Sequence, residues 1–541
     1  MTVYDEVPYP SLSHSQSHPD TLATLARLLG LHPAPLERCR VFEIGCASGG
    51  NLIPMAQGLP GSTFVGIDLS GRQVAEGQAA IAALGLNNIT LRQLDILGVT
   101  ADFGEFDYIV AHGIYSWVPP HVQEKLLDIC RQNLAPHGVA YVSYNTYPGW
   151  HVFGMIREMM LYHTRGIADA RERAAQARGL LDFLAESVPA SDNNRGSLTH
   201  AYSGFLKREL ERLGPKADAF MLHDELEEVN DPVYLHQFVE RAARHGLQYV
   251  AEVEFRSVLP SHFQPEVSET LFKMARDSVE MEQYMDFLRN RSFRQSLLCH
   301  RDVQINRVIA PERLMGFHVA ARAVPLSDQP DLQGVSVEKF KGQDGATLSI
   351  DHPVSKAAML HLAEIWPRSV TFDALLTAAR DRLNGAGTGK EREREKEREG
   401  EGEAASDDQV LAANLLKAYV YSENLVELHV YAPPFTLQVS ERPVASPWAR
   451  WQARDWNKVT NLRHERVDLD SLSRFLLARL DGAHDCDDLL QALLAGPVAS
   501  GDVVAQQDGE AVNDPDLARQ VLAGEVQRSL RWLARAALLV G

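Results

Sequence analysis

The chain has 541 residues, 45% of them apolar and 23% charged, with a formal net charge of −19, so it is globular and long enough for about three or four domains. That charge repels phosphate backbones and argues against nucleic-acid substrates, and no stretch holds the ~18–20 apolar residues of a membrane span. Five cysteines without CxxC spacing suggest neither a disulfide framework nor a zinc site; with an opening segment that lacks the zones of a signal peptide, they point to the cytoplasm.

From the N-terminus, MTVYDEVPYPS carries Tyr4 and Tyr9 among prolines. Prolines lower the entropy cost of ordering, so this arm reads as a lid over a ligand site, a disordered tail being the alternative. A short helix over 20–32 completes a first unit, 1–32. Val41–Ile44 is then an aromatic and β-branched run that suits a strand. It enters a turn holding Gly45, Ala47, Gly49 and Gly50, then the helix start LIPMAQ, where Pro54 is tolerated only in the first turn. Bare backbone and a positive dipole end meet there, which suits a ligand. A dinucleotide fingerprint would need glycine at 45, 47 and 50, and the methyl of Ala47 opposes it. The spacing acidic-x-Gly-x-small-x-Gly, met by Glu43, Gly45, Ala47 and Gly49, resembles motif I of class I S-adenosylmethionine (AdoMet) methyltransferases. Cys46 reads as a small buried residue of the loop rather than a nucleophile, and it and Asn51 join the expected cofactor-binding residues.

The following units supply the context. STFVGIDLS is a second strand ending in Asp68 and Leu69, and an acid about 20 residues past a glycine turn is placed for ribose hydroxyls; an N-cap is the plain alternative. NITLRQLDI is a third strand, its closing Asp95 and Ile96 suiting the adenine amino group and ring. FDYIVAHGIYSWV is a fourth, delivering His112 to the crevice, then Tyr115 and Trp117. An amphipathic helix ending at Pro136 and Gly138 leads to a fifth, VAYVSYNTYPGW, whose exit carries Tyr144, Asn145, Tyr147 and Trp150. Such alternation predicts an α/β, doubly wound, mostly parallel Rossmann-like sheet, with the AdoMet-binding core at 33–160. Residues 161–220 read as an inserted helical region. Residues 221–305 complete the sheet with a strand near Gln248–Phe255 and an antiparallel one near Gln295–Cys299. Residues 306–445 read as a helical middle domain, with the charge-alternating stretch 385–408 as a disordered insertion. In 446–541, Trp448, Trp451 and Trp456 suit a domain seam better than nucleic-acid stacking, and short Leu-periodic helices fit a winged-helix-like domain with a protein-contact or structural role.

The segments YDEVPYPS, FEIGCASGGNLIPMA, HGIYSWVP, SYNTYPGW, FVERAARHGLQYVAE, FRQSLLCH and TNLRHERV resemble, in order and over nearly the full length, bacterial protein lysine methyltransferases of the kind that modify outer-membrane proteins in Rickettsia. They also resemble the wider group of methyltransferases with a regulatory domain. The resemblance implies a seven-stranded class I fold, an inserted helical region, a C-terminal winged helix, and AdoMet as donor with S-adenosylhomocysteine (AdoHcy) as product; the KERERE insertion departs from the pattern outside the catalytic parts. A lysine acceptor, with a reference pKa of about 10.4, must lose its proton before it attacks, and a dry aromatic pocket favours the neutral amine. Tyr115, Trp117, Tyr144, Asn145, Tyr147 and Trp150 are therefore acceptor-site candidates, a packed aromatic cluster being the alternative. His112 reads equally as a base or as packing for the cofactor. The expected partner is a protein substrate. The rival functions are a small-molecule or natural-product N-methyltransferase and an AdoMet-binding regulatory protein without turnover. The acceptor, the degree of methylation and homodimer formation stay open.

Overall fold

The computed structural model describes residues 7, 9–189, 198–386, 406–507, 510–512 and 514–541; Tyr4 and residues 387–405 of the expected insertion lie outside them. Helices Phe372–Ala386 and Asp407–Tyr421 reach into the range 385–408 from either side.

Arg40–Ile44 (β1) forms because Val41, Phe42 and Ile44 can all be buried between layers of helix, the pattern of a strand covered on both faces. With Thr63–Asp68 (β2), Ile89–Gln93 (β3), Phe106–Ala111 (β4), Leu134–Asn145 (β5), Leu247–Glu252 (β6) and Phe293–His300 (β7) it builds a seven-stranded sheet of order β3-β2-β1-β4-β5-β7-β6. Pairings from β3 to β5 are parallel, and β7 runs antiparallel between β5 and β6. Strand order reverses between β1 and β4, which opens a crevice beyond their carboxyl ends. This is a Rossmann-like, doubly wound sheet.

Two details differ from the sequence reading. The helix Pro120–Gln132 stops before Pro136, and β5 already begins at Leu134. The register passes from Phe106↔Leu134 to Tyr108↔Val139, so residues 135–138 bulge opposite Asp107, which is how a proline without an N–H is held in a sheet. Asp95 and Ile96 lie beyond β3, in a 3-10 turn that Asp95 caps by accepting from Leu97 N at 2.9 Å.

Helices Gly149–Thr164, Ala170–Ser187 and Leu198–Leu213 pack together with segment 221–225 through Ile156, Met160, Leu181, Leu206 and Met221. The edge of the sheet is clamped by Arg294 on β7, which is fully buried. Its guanidinium grips Asp286 in bidentate fashion at 2.8 and 2.9 Å and also meets Glu282 at 3.0 Å and Glu252 at 3.2 Å. The middle region is not purely helical, which corrects the expectation for 306–445. His318–Ala320 pairs with Val370–Thr371 and Glu427–His429, and Glu338–Lys341 pairs with Val324–Pro325 and Thr347–Ile350. These strands have two to four residues, too few for alternation to register in sequence.

The C-terminal unit packs helices Pro447–Ala453, Ser471–Leu477, Cys486–Leu493 and Pro515–Arg535 around Leu476, Leu489, Leu493 and Leu530, with a hairpin of Lys458–Thr460 and Arg466–Asp468. It docks on the sheet domain where Gln57 bonds Ser446 Oγ at 2.9 Å and accepts from Trp448 N at 2.7 Å. Trp448 is buried in that seam, whereas Trp456 is 47% exposed. Among the described residues no helix is long and apolar enough to cross a membrane.

Candidate functional site

The turn after β1 is left-handed at three positions, with φ of +75° at Gly45, +49° at Ala47 and +78° at Gly49. Asp68 at the end of β2 holds it: Oδ2 accepts from Ala47 N and Oδ1 from Ser70 N, both at 2.8 Å. A side chain at Gly45 would run into Ile114, and one at Gly50 would overlap the backbone carbonyl of Ser11. The last glycine of the run therefore serves the N-terminal arm rather than a ligand phosphate; Gly50 N donates to Ser11 Oγ at 2.7 Å.

Beneath the arm lies a cavity of about 770 Å³ at the carboxyl ends of the strands. Glu43, Gly45, Cys46, Ala47 and Asn51 line it from the turn, Asp68 and Leu69 from the end of β2, Asp95 and Ile96 from beyond β3, and His112 from beyond β4. Tyr9 covers it from the arm, held through its carbonyl by Gln73 at 2.9 Å, with its ring edge-on to Phe220 at 5.3 Å. Trp117, Asn145 and Trp150 line the far end, the two indoles meeting edge to face at 5.9 Å.

Other expected residues are not brought there. Gly49 sits behind the turn against Leu91 and Ile53. Tyr115 and Tyr144 are corrected to the core. Tyr115 meets Phe238 edge-on at 5.2 Å and accepts from Arg241; Tyr144 stacks on Phe238 at 4.2 Å and bonds Ser296 Oγ at 3.0 Å. Successive strand residues face opposite sides, so Tyr144 and Asn145 cannot both reach the crevice. Tyr147 stacks on His151 at 4.0 Å, off the cavity wall. Sequence reasoning missed His14 and Ser11 of the arm, and Phe153, Arg212, Lys216, Asp224, Glu225 and Glu227 of the helical region. Nothing local marks these six; only the packing of that region over the crevice brings them in.

Glu43 is 3% exposed. Its Oε1 accepts from Asn51 Nδ2 at 2.7 Å, and its Oε2 is buried without a partner. Burial pushes the carboxyl up to about 7, opposed by the Asn51 bond and aided by Asp68. A desolvated carboxylate oxygen at a cavity wall suits a cation. The residues present thus fit AdoMet: Glu43 for its ammonium, the bare turn for its amino-acid tail, and Asp68 for ribose hydroxyls. His112 lies 2.7 Å from Tyr141 OH through Nδ1 and against the His14 ring at 3.8 Å. Burial lowers His112 to about 4 and His14 to about 2, so both are neutral at neutral pH and add no charge beside a sulfonium.

Comparison with known proteins agrees with this geometry. A family model described as "Methyltransferase domain" matches residues 42–140, one described as "Predicted methyltransferase regulatory domain" matches 217–300, and one described as "PKMT, C-terminal winged helix domain" matches 441–538. The chain is 34% identical over 546 residues to the uncharacterized protein RP789 of Rickettsia prowazekii (strain Madrid E), across 99% of this chain and 93% of that one. It is 40% identical over 241 residues to RP028 of the same organism, across 44% of this chain and 94% of that one. PKMT2 from Rickettsia typhi, solved in complex with AdoHcy, superposes with a TM-score of 0.80 at 30% identity, across 99% of this chain and 100% of that one.

Proposed function

The chain belongs to the family of class I AdoMet-dependent methyltransferases that carry a methyltransferase regulatory domain and a PKMT-type C-terminal winged helix, and on that premise we propose that its acceptor is the side-chain amine of a lysine in a protein substrate. The observation that carries this reading is the far end of the cavity. The Trp117 and Trp150 indoles stand there with three carboxylates, Asp224, Glu225 and Glu227, against two basic groups, Arg212 and Lys216. Aromatic faces and a surplus of carboxylate attract an ammonium, and a water-poor aromatic wall then favours its neutral form for attack. The name of the PKMT2 neighbour supports the same acceptor class.

When bound, AdoMet supplies an electrophilic methyl on a sulfonium, so that the amine nitrogen forms a bond to the methyl carbon as its bond to sulfur breaks. The task of the chain is then alignment. Asn145 Nδ2 donates to Asn230 Oδ1 at 2.8 Å, and Asn145 N donates to Ser116 Oγ at 2.9 Å. That fixes the side chain with Oδ1 as the atom to accept from the acceptor amine and aim its lone pair. Asp224, raised to about 6 by burial, is a carboxyl ready to take the departing proton.

The test is incubation of the purified protein with radiolabelled AdoMet and lysate from its own source. Label in a protein band, mapped to lysine by mass spectrometry, is expected. Label only in the small-molecule fraction overturns the protein substrate, and no label despite calorimetric AdoHcy binding overturns turnover itself. Asn145→Ala is expected to lower kcat by roughly 10²-fold with AdoHcy affinity unchanged; equal turnover by that variant removes Asn145 from the acceptor site.

A further inference from the structure

One buried side chain gathers hydrogen bonds from across the whole chain. Asn51 is 4% exposed. Its Nδ2 donates to Glu43 Oε1 at 2.7 Å and to Ser17 Oγ at 3.0 Å; its Oδ1 accepts from His14 N at 2.8 Å and from His464 Nε2 at 2.8 Å. Two donors and two lone pairs are all that an amide has. Asn51 therefore keeps nothing for a ligand and acts as a bracket behind Glu43. The bond to His464 arrives from the turn of the C-terminal hairpin, 413 residues away in sequence. Because Oδ1 only accepts, the His464 ring carries a hydrogen on Nε2, and burial favours its neutral form. The backbone at His464 is left-handed, with φ of +62°, where glycine is at ease and histidine is strained.

We propose that His464 is a positioning residue for cofactor binding. It fixes Asn51 Oδ1 and thereby holds Glu43 in place at the cavity wall, so that the C-terminal domain completes the AdoMet site. The inference rests on the reading of Glu43 as the partner of the cofactor ammonium. Because coupling is reciprocal, the bound cofactor tightens the seating of the hairpin Lys458–Asp468 in return.

The test is calorimetric titration of the full-length protein with AdoHcy, in wild type, H464G, H464Q, E43Q and the H464G/E43Q double variant. Glycine removes the ring and also relieves the left-handed backbone, so folding is retained; H464F, which keeps ring bulk without a donor, serves if glycine does not fold. H464G is expected to weaken AdoHcy roughly tenfold with little change in Tm, and H464Q, whose amide N–H can replace Nε2–H, to recover most of the loss. The losses in the double variant are expected to be less than additive, since His464 acts through Glu43. AdoHcy is expected to slow hydrogen exchange in residues 458–468 of wild type but not of H464G. Full affinity in H464G or H464F beside a weakened E43Q overturns the proposal, as do additive losses in the double variant. Full affinity in E43Q overturns the reading of the site instead.

Discussion

At Glu43 burial raises the carboxyl from 4.5 to about 7, and two opposite pH slopes follow. A folded pKa above the unfolded one means that the fold binds a proton which the unfolded chain releases. This contribution to stability is complete below the unfolded pKa and is lost as pH rises through about 7. Ammonium binding needs the carboxylate, so AdoHcy affinity runs the other way and is expected to rise from about pH 6 to about pH 7.5. Burial holds Cys46 and Tyr141 beside Glu43 protonated and His14, His112 and His464 neutral across that window. Calorimetry and melts of the ligand-free protein measure the two slopes, and Glu43→Gln is expected to flatten both. That Glu43, Gly45 and Asp68 share one cavity wall was legible in the sequence, because the spacing of turn and acid is local. Tyr144 was not legible: adjacent strand positions face opposite ways, and only the pairing of β5 with β7, with Tyr144 opposite Arg294, says which face is the crevice. The role of Gly50 was not legible either, since a glycine is silent about whether a ligand or a remote backbone comes close to it.

Among the elements, β7 carries a fully buried guanidinium, and its loss has a definite sign. Arg294 is fully buried among Glu252, Glu282 and Asp286, and Tyr249 OH donates to Glu282 at 2.7 Å. Arg294→Ala leaves three carboxylates facing one another without their shared cation. The expected cost is about 3–5 kcal/mol, read as a fall of roughly 10 °C in the melting of the sheet domain. Unchanged melting would mean that Arg291, 3.5 Å from Glu252, takes over. The parallel strands were readable as short runs rich in apolar residues, and even the antiparallel β7 left its apolar segment in FRQSLLCH. The bulge at 135–138 was not readable, because Pro136 and Gly138 stop a helix as well as they kink a strand and only the partner β4 decides between them. The Arg294 clamp was hidden for the same reason: its acids come from β6 and from the helix Ser278–Arg289, and charge alone does not announce a buried partner.

Over the whole molecule, the arm is where three remote parts of the chain meet. Ser11 lies on Gly50, Ser13 Oγ accepts from Thr460 Oγ1 at 3.1 Å, His14 N donates to Asn51, and Asp20 holds His429 and Val430 of the middle region at 2.7 Å each. At the other end Val7 O takes a bond from His223 at 2.7 Å, beside the acids of the helical region. The arm therefore lies along the cavity, with Tyr9, Ser11 and His14 on its wall, and is fastened on both sides. His429 is raised to about 9 by Asp20 and Glu427 despite its burial, so the Asp20 anchor is an ion pair at neutral pH and outlasts removal of what precedes it. Deleting residues 1–13 is thus expected to leave the fold intact while removing the cover. Stopped-flow binding is expected to show AdoHcy dissociating roughly tenfold faster, with a smaller gain in association, so that affinity falls. Gly50→Ala is expected to act in the same direction, because the added methyl meets backbone of the arm rather than a side chain that can turn away. An unchanged dissociation rate in both variants would assign the retention of the ligand to Glu43 and the turn alone, and would reduce the arm to a covering without a kinetic role.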